Sequence, residues 1–585
     1  MRVIHLATVD LSLRYLVLPQ MEEVVVLGGD SIGVSAPGPH IEELEARGIR
    51  HIALPDSTRS VDVKKDFRTA VSLWRTLRRE KPDVLHTHTP KPGIYGRIVG
   101  RLAGVPAVIN TIHGLYATRD DRLIKRMLVY GIEAIAARFS DRELVQSAED
   151  FDFVLRRRIT RRGRTILLGN GVDLDRFDHR KVDPGHRDRI RRSLGIGPDD
   201  IVVGSVGRLV AEKGFPELFE AAKSMPRGCV MVVVGPVEPD KDDGLSREQL
   251  DAAQALGIHL PGMQANVDEW YSAMDIFVLA SHREGFPRAA MEAAAMGLPV
   301  IATDIRGCRE VVDPGVNGLL VPVRSPSDLA EAINILAVDS DLRARMGAAS
   351  RQKAEESFDE RNIVQTVMTA QISTLREKGR FPDLAGSESY PVNFRTAAVD
   401  DAGVIAQLHA KSIDSGFLRT LGVGFLRQLY LAMIEHPGSR VIVARDPYGP
   451  IGFVAGMPDV GEFYRAFVLK HGARAGLSAT RALLRPSSWR KAWETARYDS
   501  GHQDTSAELL SMAVAAGYRG RGLGQELGSQ LLSQFHDDGI TRVKVVVGSD
   551  NHAAQHVYRT VGFADRDTIE VHRGEKSLVM VSDRS

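Results

Sequence analysis

A chain of 585 residues is too long for one hydrophobic core, so two to four domains are expected. With 43% hydrophobic and 26% charged residues, the composition is ordinary for a soluble globular protein. Because 76 lysines and arginines balance 75 aspartates and glutamates, the net charge of +1 points to neither nucleic acid nor a membrane as a partner of the whole chain.

The two cysteines and the first residues of the chain indicate a cytoplasmic protein. Cys229 falls in a predicted strand and Cys308 near a predicted helix start. Two thiols make neither a disulfide framework nor a zinc site, which fits a reducing compartment. The apolar run at residues 1–8 is too short for a signal peptide, and no stretch approaches the length of a membrane span. We therefore expect any membrane contact to be local.

Predicted strands and helices alternate from residue 1 to about 165. One helix is predicted at 64–80, where Phe67, Val71, Trp74 and Leu77 recur at helical spacing. This alternation predicts an α/β fold with a parallel, doubly wound sheet, in which ligands gather beyond the carboxyl ends of the strands. The predicted strands are Val3–Ala7, Ile32–Ser35, His51–Leu54, Val84–Thr87 and Ala107–Thr111.

Two histidine-bearing segments follow strands of this first region. Residues 86–91 read HTHTPK and residues 110–114 read NTIHG. For His88 two interpretations stay open, a ligand-facing side chain or a structural residue that makes hydrogen bonds. His113 and Gly114 end the second segment at the same predicted edge of the sheet.

A second alternation runs from about 166 to 380, after a turn-rich joint at 169–173. Between the strand at 201–206 and the helix at 215–225, Gly207 and Gly214 free the backbone. Arg208 and Lys213 place two cations beside the positive end of that helix. These features predict an anion site, most simply for a diphosphate. The other strands are predicted at 230–234, 258–260, 276–280 and 300–302, and a last helix at 363–377.

A further segment, Glu284-Gly285-Phe286-Pro287, follows the strand at 276–280 and opens the helix at 289–296. The amides of Gly285 and Phe286 are expected to bind oxygen at this helix start, and Glu292 beyond them can hold a pair of hydroxyls. Cations together with a hydroxyl-binding carboxylate predict a nucleotide sugar. The alternative, that these are only solvated loop charges, is disfavoured because four polar positions fall at two successive strand ends.

The combination of these motifs resembles the retaining glycosyltransferases of the GT-B fold, family four. The resemblance rests on the Arg208/Lys213 pair, the two glutamates around residues 284–287, and the sequence GLPVIAT at 297–303. It implies two Rossmann-like domains, with the acceptor on residues 1–165 and the donor on 166–380. It further implies that His113 and Glu284 orient the donor sugar, that Glu292 holds the ribose, and that no metal is required.

Two details of the first region qualify the resemblance. Many relatives carry a glycine-rich loop after the first strand, whereas this chain has VDLSLR at 9–14, so we expect no phosphate contact from that loop. Residues 87–91 followed by Gly93 resemble relatives that extend polyprenyl-diphosphate-linked sugars, which favours a lipid-linked acceptor.

After a predicted linker at 381–391, the pattern changes to that of an α+β domain with a mixed sheet. A strand at 509–514 runs into a basic, glycine-rich turn and then the helix at 525–535. Glycines and cations before a helix start describe a pyrophosphate cradle, although dinucleotide folds also use one. Further strands are predicted at 392–395, 440–444, 451–455 and 543–547, and helices at 400–411 and 425–434.

This second pattern resembles the GNAT acetyltransferases over about 392–585. The family's Arg-x-x-Gly-x-Gly turn is matched by Arg519, Gly522 and Gly524. The resemblance implies acetyl-CoA as cosubstrate and Tyr558 as the general acid for the leaving thiolate. Glu508 is a candidate base, or alternatively a solvated carboxylate at a strand end. The expected acetyl-CoA contacts are Met512, Val514, Arg519, Gly520, Arg521, Gly522, Gly524 and Asn551.

An apparent insertion at about 460–500 combines basic and apolar residues. Arg465, Lys470, Arg474, Arg481, Arg485, Arg490, Lys491 and Arg497 face one acid, Glu494, while Phe463, Phe467, Leu477, Leu483, Leu484, Trp489 and Trp493 are apolar. Two interpretations stay open: a basic amphipathic helix on an anionic membrane or a lipid-linked acceptor, or a helical hairpin packed on its own domain. The second is favoured because apolar faces usually form core.

Together these motifs predict a bifunctional enzyme of surface glycan biosynthesis. One part would transfer a sugar from a UDP-sugar or another nucleotide-diphosphate sugar, and the other would move an acetyl group to the amine of an amino sugar. Two alternatives remain: a nucleotide-sugar epimerase, or a glycosyltransferase whose last domain only senses acetyl-CoA. The expected partners are the nucleotide sugar and a polyprenyl-linked glycan at the inner face of the plasma membrane, with no nucleic acid. The oligomeric state stays open.

Overall fold

The computed structural model describes residues 1–58, 60, 62–117, 121–238, 243–413, 417–478, 507–572 and 575–583. The chain falls into two compact units. One comprises Arg2–Val25 and Asp30–Val367, and the other comprises Met1, Val26–Gly29 and Met368–Ser585. Among the described residues, no helix is both long enough and apolar enough to cross a membrane.

The first sheet has seven parallel strands in the order β3-β2-β1-β4-β5-β6-β7. Its central strands are buried on both faces because helices cover them, as the alternating pattern predicted. The strands are β1 Arg2–Val9, β2 Asp30–Ala36, β3 Arg50–Ala53, β4 Val84–Thr87, β5 Ala107–Ile112, β6 Arg142–Val145 and β7 Thr165–Leu167. The helices are α1 Asp10–Ser12, α2 Leu18–Val26, α3 Ile41–Ala46, α4 Val63–Glu80, α5 Pro90–Leu102, α6 Leu123–Ala136 and α7 Ala148–Arg156.

The second sheet has six parallel strands in the order β10-β9-β8-β11-β12-β13. Its order reverses between β8 and β11, and a site at the carboxyl ends of those two strands is the expected consequence. The strands are β8 Ile201–Val206, β9 Cys229–Val234, β10 His259–Gly262, β11 Ile276–Leu279, β12 Val300–Thr303 and β13 Gly318–Val321. The helices are α8 Pro184–Ser193, α9 Phe215–Ala222, α10 Arg247–Ala255, α11 Val267–Ala273, α12 Arg288–Ala295, α13 Arg306–Val311, α14 Pro326–Val338, α15 Ser340–Ser357 and α16 Glu360–Glu377.

The third sheet is mixed, with the order β14-β15-β16-β17-β18-β20-β19. Among the described strands of this sheet, β17 and β18 are the one parallel pair, and their pairing runs from Ala507 to Leu509, beyond which the two strands separate. The strands are β14 Asn393–Thr396, β15 Arg440–Asp446, β16 Gly449–Met457, β17 Ala507–Val514, β18 Arg542–Gly548, β19 Phe563–His572 and β20 Glu575–Asp583. The helices are α17 Ala402–Ser412, α18 Phe417–Thr420, α19 Val423–Glu435, α20 Val460–Ser478, α21 Leu523–Asp537 and α22 His552–Thr560.

The predicted fold class is confirmed: two doubly wound parallel sheets precede an α+β part with a mixed sheet. Helix α4 does not bury the whole apolar face that its sequence predicts. Phe67 and Trp74 are 70% and 45% exposed, whereas Leu73 and Leu77 are buried. The helix therefore packs through a face rotated from the one that its aromatic residues mark.

The predicted insertion is described only as far as helix α20. Phe463 and Phe467 lie in the hydrophobic core of the third sheet, which supports packing on the same domain for this part. Arg481, Arg485, Arg490, Lys491, Arg497, Glu494, Leu483, Leu484, Trp489 and Trp493 lie outside the described residues.

Candidate active sites

Four histidines gather at the carboxyl edge of the first sheet. His88 contacts two of them, with its Nε2 3.3 Å from Nδ1 of His5 and its Nδ1 3.2 Å from Nε2 of His113. His86 bonds instead to the hydroxyl of Thr111 at 2.8 Å. Burial lowers the pKa of His113 to about 4 and that of His5 to about 3, so both imidazoles are neutral at pH 7.

Because each imidazole in this row is neutral, each nitrogen pair shares one proton. The tautomers of His5, His88 and His113 are therefore coupled. The donor atoms of His5, His86 and His88 lie within 4.8 Å of one another, a spacing that could also hold a metal ion. Both ring nitrogens of His88 already lie at hydrogen-bonding distance from His5 and His113, so the geometry favours a hydrogen-bonded row.

A strained turn at Thr89 sets the position of His88. Thr89 has a φ of 66°, which is unusual for a β-branched residue. Its hydroxyl lies 2.9 Å from that of Thr8 and donates to the carbonyl of His88 at 2.5 Å. Strain held by several contacts in this way is common where a side chain must be placed for function.

In the second sheet, Lys213 and Glu284 lie directly against each other. Lys213 Nζ is 2.5 Å from Glu284 Oε1, which also accepts a hydrogen bond from the Ser281 hydroxyl at 2.7 Å. Both are mostly buried, at 21% and 12% exposure of their side chains. Lys213 follows β8 and Glu284 follows β11, so the chain reversal in the sheet brings together the two segments that the sequence singled out.

Arg208 makes a different ion pair. Its Nη1 lies 2.8 Å from Oε2 of Glu238, which follows β9. Both side chains are partly exposed, so water screens this pair more than the Lys213–Glu284 pair.

Glu292 lies on α12 and is 9% exposed. Its Oε1 accepts from Arg288 Nε at 3.0 Å, and its Oε2 accepts from the Tyr271 hydroxyl at 3.0 Å. Burial raises the pKa of Glu292, while Arg288 and Tyr271 oppose that rise. The two donors hold the carboxylate in one orientation and leave lone pairs for further hydroxyls.

The two parallel-sheet domains are in close backbone contact at Gly114 and Gly285. A Cβ at residue 285 would lie 2.0 Å from the carbonyl oxygen of His113, and a Cβ at residue 114 would lie 2.9 Å from Cα of Gly285. Nearby, Arg306 pairs with Asp150 at 2.6 Å. Phe286 packs beside Gly285 with its ring edge-on to Phe358 at 6.0 Å. The backbone segments that carry the predicted sugar-orienting residues His113 and Glu284 therefore meet at this contact.

In the mixed sheet, Glu508 lies where β17 and β18 are still paired. It is 8% exposed, and its Oε2 is 3.5 Å from Nζ of Lys544, its neighbour in register. Burial raises the pKa of Glu508 and Lys544 opposes this. Burial, with Glu508 beside it, raises the pKa of Tyr464 to about 12.

The loop after β17 has the form expected of an anion cradle. Gly520 and Gly522 have φ of 79° and 75°, and Gly522 caps α21. A Cβ at Gly524 would meet Met512 at 3.9 Å, which places Met512 beside the helix start, and Val514 ends the strand before the loop. Arg519 is exposed and bonds to the carbonyl of Val514 at 3.2 Å.

Tyr558 and Asn551 lie on α22 and at its start. Tyr558 is 6% exposed, and burial raises its pKa to about 12. Asn551 accepts a bond from the amide of Ala554 at 3.1 Å and so caps the helix. The cap gives Asn551 a structural role in addition to the predicted contact with acetyl-CoA.

Comparison with known proteins matches three families to consecutive parts of the chain. The family described as Glycosyltransferase Family 4 matches residues 22–176, and Glycosyl transferases group 1 matches 186–353. The GNAT acetyltransferase family matches 417–563. The chain is 31% identical over 337 residues to the UDP-Gal:alpha-D-GlcNAc-diphosphoundecaprenol alpha-1,3-galactosyltransferase of Escherichia coli, covering 56% of this chain and 84% of that protein.

The chain belongs to the family 4, group 1 glycosyltransferases. This glycosyltransferase carries a GNAT domain after its two Rossmann-like domains, so both predicted resemblances are confirmed. It is also 23% identical to the N,N'-diacetylbacillosaminyl-diphospho-undecaprenol alpha-1,3-N-acetylgalactosaminyltransferase of Campylobacter jejuni subsp. jejuni serotype O:2, covering 57% of this chain and 89% of that one. Among solved structures, the HepE protein of Anabaena in complex with UDP superposes with a TM-score of 0.53 at 20% identity, over 63% of this chain and 98% of that one, which supports the fold alone.

Several residues in the candidate sites of the glycosyltransferase and GNAT domains were not predicted from the sequence. Arg288 and Tyr271 hold Glu292, Glu238 pairs with Arg208, and Lys544 pairs with Glu508. In the GNAT domain, hydrogen bonds also connect His409 through Tyr430 to Ser511. The i,i+4 spacing of Arg288 and Glu292 was the one local signal available. The other contacts join segments far apart in sequence.

Proposed function

We propose that the chain transfers a sugar with retention from a UDP-sugar, or another nucleotide-diphosphate sugar, to a polyprenyl-diphosphate-linked or sugar acceptor. In the same proposal, its GNAT domain moves acetyl from acetyl-CoA to the amine of an amino sugar. The observation that carries the first activity is the buried Lys213–Glu284 pair at the reversal of the second sheet, beside the contact of Gly285 with His113. A cation and a carboxylate at that edge suit a diphosphate and the hydroxyls of its sugar.

In this proposal Lys213 and Arg208 offset the negative charge that grows on the leaving diphosphate as the glycosidic bond breaks. Each is held by a carboxylate before the donor arrives, Glu284 and Glu238 respectively. The diphosphate replaces those carboxylates as the partner of the cations, and Glu284 is then available to the hydroxyls of the sugar. The acceptor hydroxyl forms the new bond on the same face, and its proton leaves with the diphosphate.

Glu292 binds the ribose hydroxyls, because Tyr271 and Arg288 already fix its carboxylate. His113 orients the sugar from the opposite domain. Since its imidazole is neutral at pH 7, it contributes hydrogen bonding without a charge that would oppose the developing oxocarbenium ion. No metal is needed for this scheme, because the charge on the leaving group is met by side chains.

A lipid-linked acceptor is supported by the names of the relatives and by the surface of the first domain. Both relatives named above are described as acting on undecaprenyl-diphosphate-linked sugars. Helix α6 exposes Ile124, Met127, Leu128 and Ile135, each more than 60% exposed. Arg122 and Lys125 lie beside them, as on a helix that rests on an anionic membrane. We therefore propose a cytoplasmic protein that binds the inner face of the plasma membrane peripherally.

Acetyl transfer requires a neutral amine whose nitrogen attacks the thioester carbon while the carbon–sulfur bond breaks. Tyr558 returns a proton to the leaving thiolate, and its raised pKa keeps it protonated for that step. Glu508 takes the proton of the amine, because burial raises the pKa of its carboxyl group although Lys544 opposes that rise. Acetyl-CoA lies between the separating strands β17 and β18, with its diphosphate on the loop amides.

The proposed function of each domain follows the domain boundaries predicted from the sequence. Residues 1–165 bind the acceptor, 166–380 bind the nucleotide sugar, 381–391 connect, and 392–585 form the acetyltransferase, with a helical insertion at about 460–500. The simplest link between the two proposed activities is a shared amino sugar. The GNAT domain would acetylate its amine, and the same sugar would belong to the donor or the acceptor of the glycosyltransferase domains.

One experiment tests both activities. The full chain is incubated with acetyl-CoA and a panel of UDP-linked amino sugars, and the products are analysed by mass spectrometry. A nucleotide sugar that gains one acetyl group supports the acetyltransferase and nominates the donor. That donor is then offered with an undecaprenyl-diphosphate-linked acceptor, and transfer that is lost in Lys213→Met supports the first activity. If acetyl appears on no nucleotide sugar and on no lipid-linked amino sugar, the acetyltransferase proposal is wrong.

A further inference from the structure

The loop between β17 and α21 is held by residues that lie outside the segment matching the GNAT family. That match begins at residue 417. Arg376 lies in the last turn of helix α16, and Ser387 belongs to the predicted linker, yet both contact the loop at 515–522. The loop that should bind the diphosphate of CoA is therefore supported from the preceding part of the chain.

The first support is a buried polar cluster. Arg376 and Asp446 form a bidentate ion pair, with Nη1–Oδ1 and Nη2–Oδ2 both at 2.7 Å. The Tyr518 hydroxyl donates to Asp446 Oδ2 at 2.5 Å. All three residues are at most 5% exposed. Because Tyr518 belongs to the loop, this cluster fixes the first turn of the loop to the end of α16.

The second support comes from the linker. The guanidinium of Arg521 lies over the ring of Tyr518 at 4.8 Å and donates to the carbonyl and hydroxyl of Ser387 at 2.8 and 3.1 Å. Ser387 is buried, and Oδ1 of Asp383 lies 3.2 Å from where a Cβ of Gly517 would be. Arg521 thus joins the loop to the linker in addition to its predicted contact with acetyl-CoA.

We propose that Arg376 and Ser387 are positioning residues for acetyl-CoA, which hold the loop in the conformation that presents its amides to the diphosphate. The proposal rests on the acetyltransferase function proposed above. Asp446 neutralises Arg376, so Arg376 contributes order rather than a charge for the phosphates. A loop with glycines at 517, 520 and 522 has much backbone freedom to lose, and contacts that order it in advance lower that cost on binding.

The test measures acetyl-CoA binding to the full chain by calorimetry, together with hydrogen–deuterium exchange of residues 515–524. Tyr518→Phe removes one hydroxyl from the cluster, and the double variant Arg376→Met/Asp446→Asn removes both charges. The matched control is Arg361→Met, because Arg361 is on the same helix but 72% exposed. If the ordered fraction of the loop falls to a tenth, the Kd rises about tenfold.

The expected result is a weaker Kd and faster exchange in the loop for both cluster variants, with the control unchanged. Exchange elsewhere in the domain should stay as in the parent chain, which separates loop ordering from general destabilisation. If the double variant loses exchange protection throughout the domain, the conservative Tyr518→Phe variant is the one used to judge the inference. Unchanged acetyl-CoA binding in Tyr518→Phe overturns the positioning role but leaves the proposed acetyltransferase function standing. Absence of acetyl-CoA binding by the parent chain overturns the proposed acetyltransferase function itself.

Discussion

Replacing Gly285 with alanine tests whether the contact between the two Rossmann-like domains is part of the glycosyltransferase site. The new Cβ would lie 2.0 Å from the carbonyl oxygen of His113. Non-bonded heavy atoms need about 3.5 Å, so the two segments must move apart by roughly 1.5 Å. The obstacle is backbone, which cannot rotate away as a flexible side chain can.

A displacement of about 1 Å at a reacting centre costs about 100-fold in rate, which corresponds to about 2.7 kcal/mol of activation free energy. We expect Gly285→Ala to lower kcat for sugar transfer by about that factor. The binding of UDP alone should change little, because Lys213 and Arg208 lie on one domain and do not depend on the contact. The loss should therefore fall on kcat rather than on nucleotide affinity.

The assay is release of UDP from the donor identified by mass spectrometry, with an undecaprenyl-diphosphate-linked acceptor. Gly163→Ala is the matched control, because no atom lies within 4 Å of its Cβ position and its φ is not positive. If Gly285→Ala turns over within threefold of the control with the same melting temperature, the contact is not part of the working site and the argument is refuted.

Three further predictions follow from the charges and surfaces of the chain. Burial lowers the folded-state pKa of His5 to about 3 and that of His113 to about 4 from 6.5, so the unfolded chain binds more protons as the pH falls. The free energy of unfolding should therefore fall by about 1.6 kcal/mol per histidine between pH 6.5 and 5. Urea unfolding followed by far-UV circular dichroism measures this, and a flat profile would contradict it. Tyr558→Phe should lower kcat for acetyl transfer by about 100-fold with little change in the Kd of acetyl-CoA, and equal turnover would remove Tyr558 as the acid. Leu128→Asp should weaken sedimentation with anionic vesicles severalfold, whereas Val338→Asp, at a still more exposed position on α14, should not. Loss in both variants or in neither would argue against α6 as the membrane surface.

The sequence could predict which residues lie close together when those residues directly follow strands of a parallel sheet. Parallel strands deliver their carboxyl ends to one edge, so His88 and His113 were expected at the same place, and so were Lys213 and Glu284. Which of these strand ends are neighbours depends on the order of the strands in the sheet. Here β11 lies beside β8, although β9 and β10 come between them in the chain. Periodicity alone does not give that order.

The partners of these residues could not be predicted in the same way. Tyr271 reaches Glu292 from a neighbouring helix, and Glu238 reaches Arg208 from the end of another strand. Such contacts depend on packing between elements. The aromatic residues Phe67 and Trp74 illustrate the same limit, because their spacing identifies a helix but not which face the sheet covers.

A common feature of both sites is that their carboxylates are already paired with cations. Glu284 is held by Lys213 in the glycosyltransferase site, and Glu508 by Lys544 in the GNAT domain. Each pairing places a cation beside a mostly buried carboxylate and so offsets part of the cost of burying that charge. Under the function proposed above, donor binding would exchange the partners of these side chains. Lys213 would turn to the diphosphate, and Glu284 would become free to bind the sugar only once the nucleotide is present. A free sugar without its diphosphate should therefore bind poorly, because it would have to break the Lys213–Glu284 pair without supplying an anion to replace it.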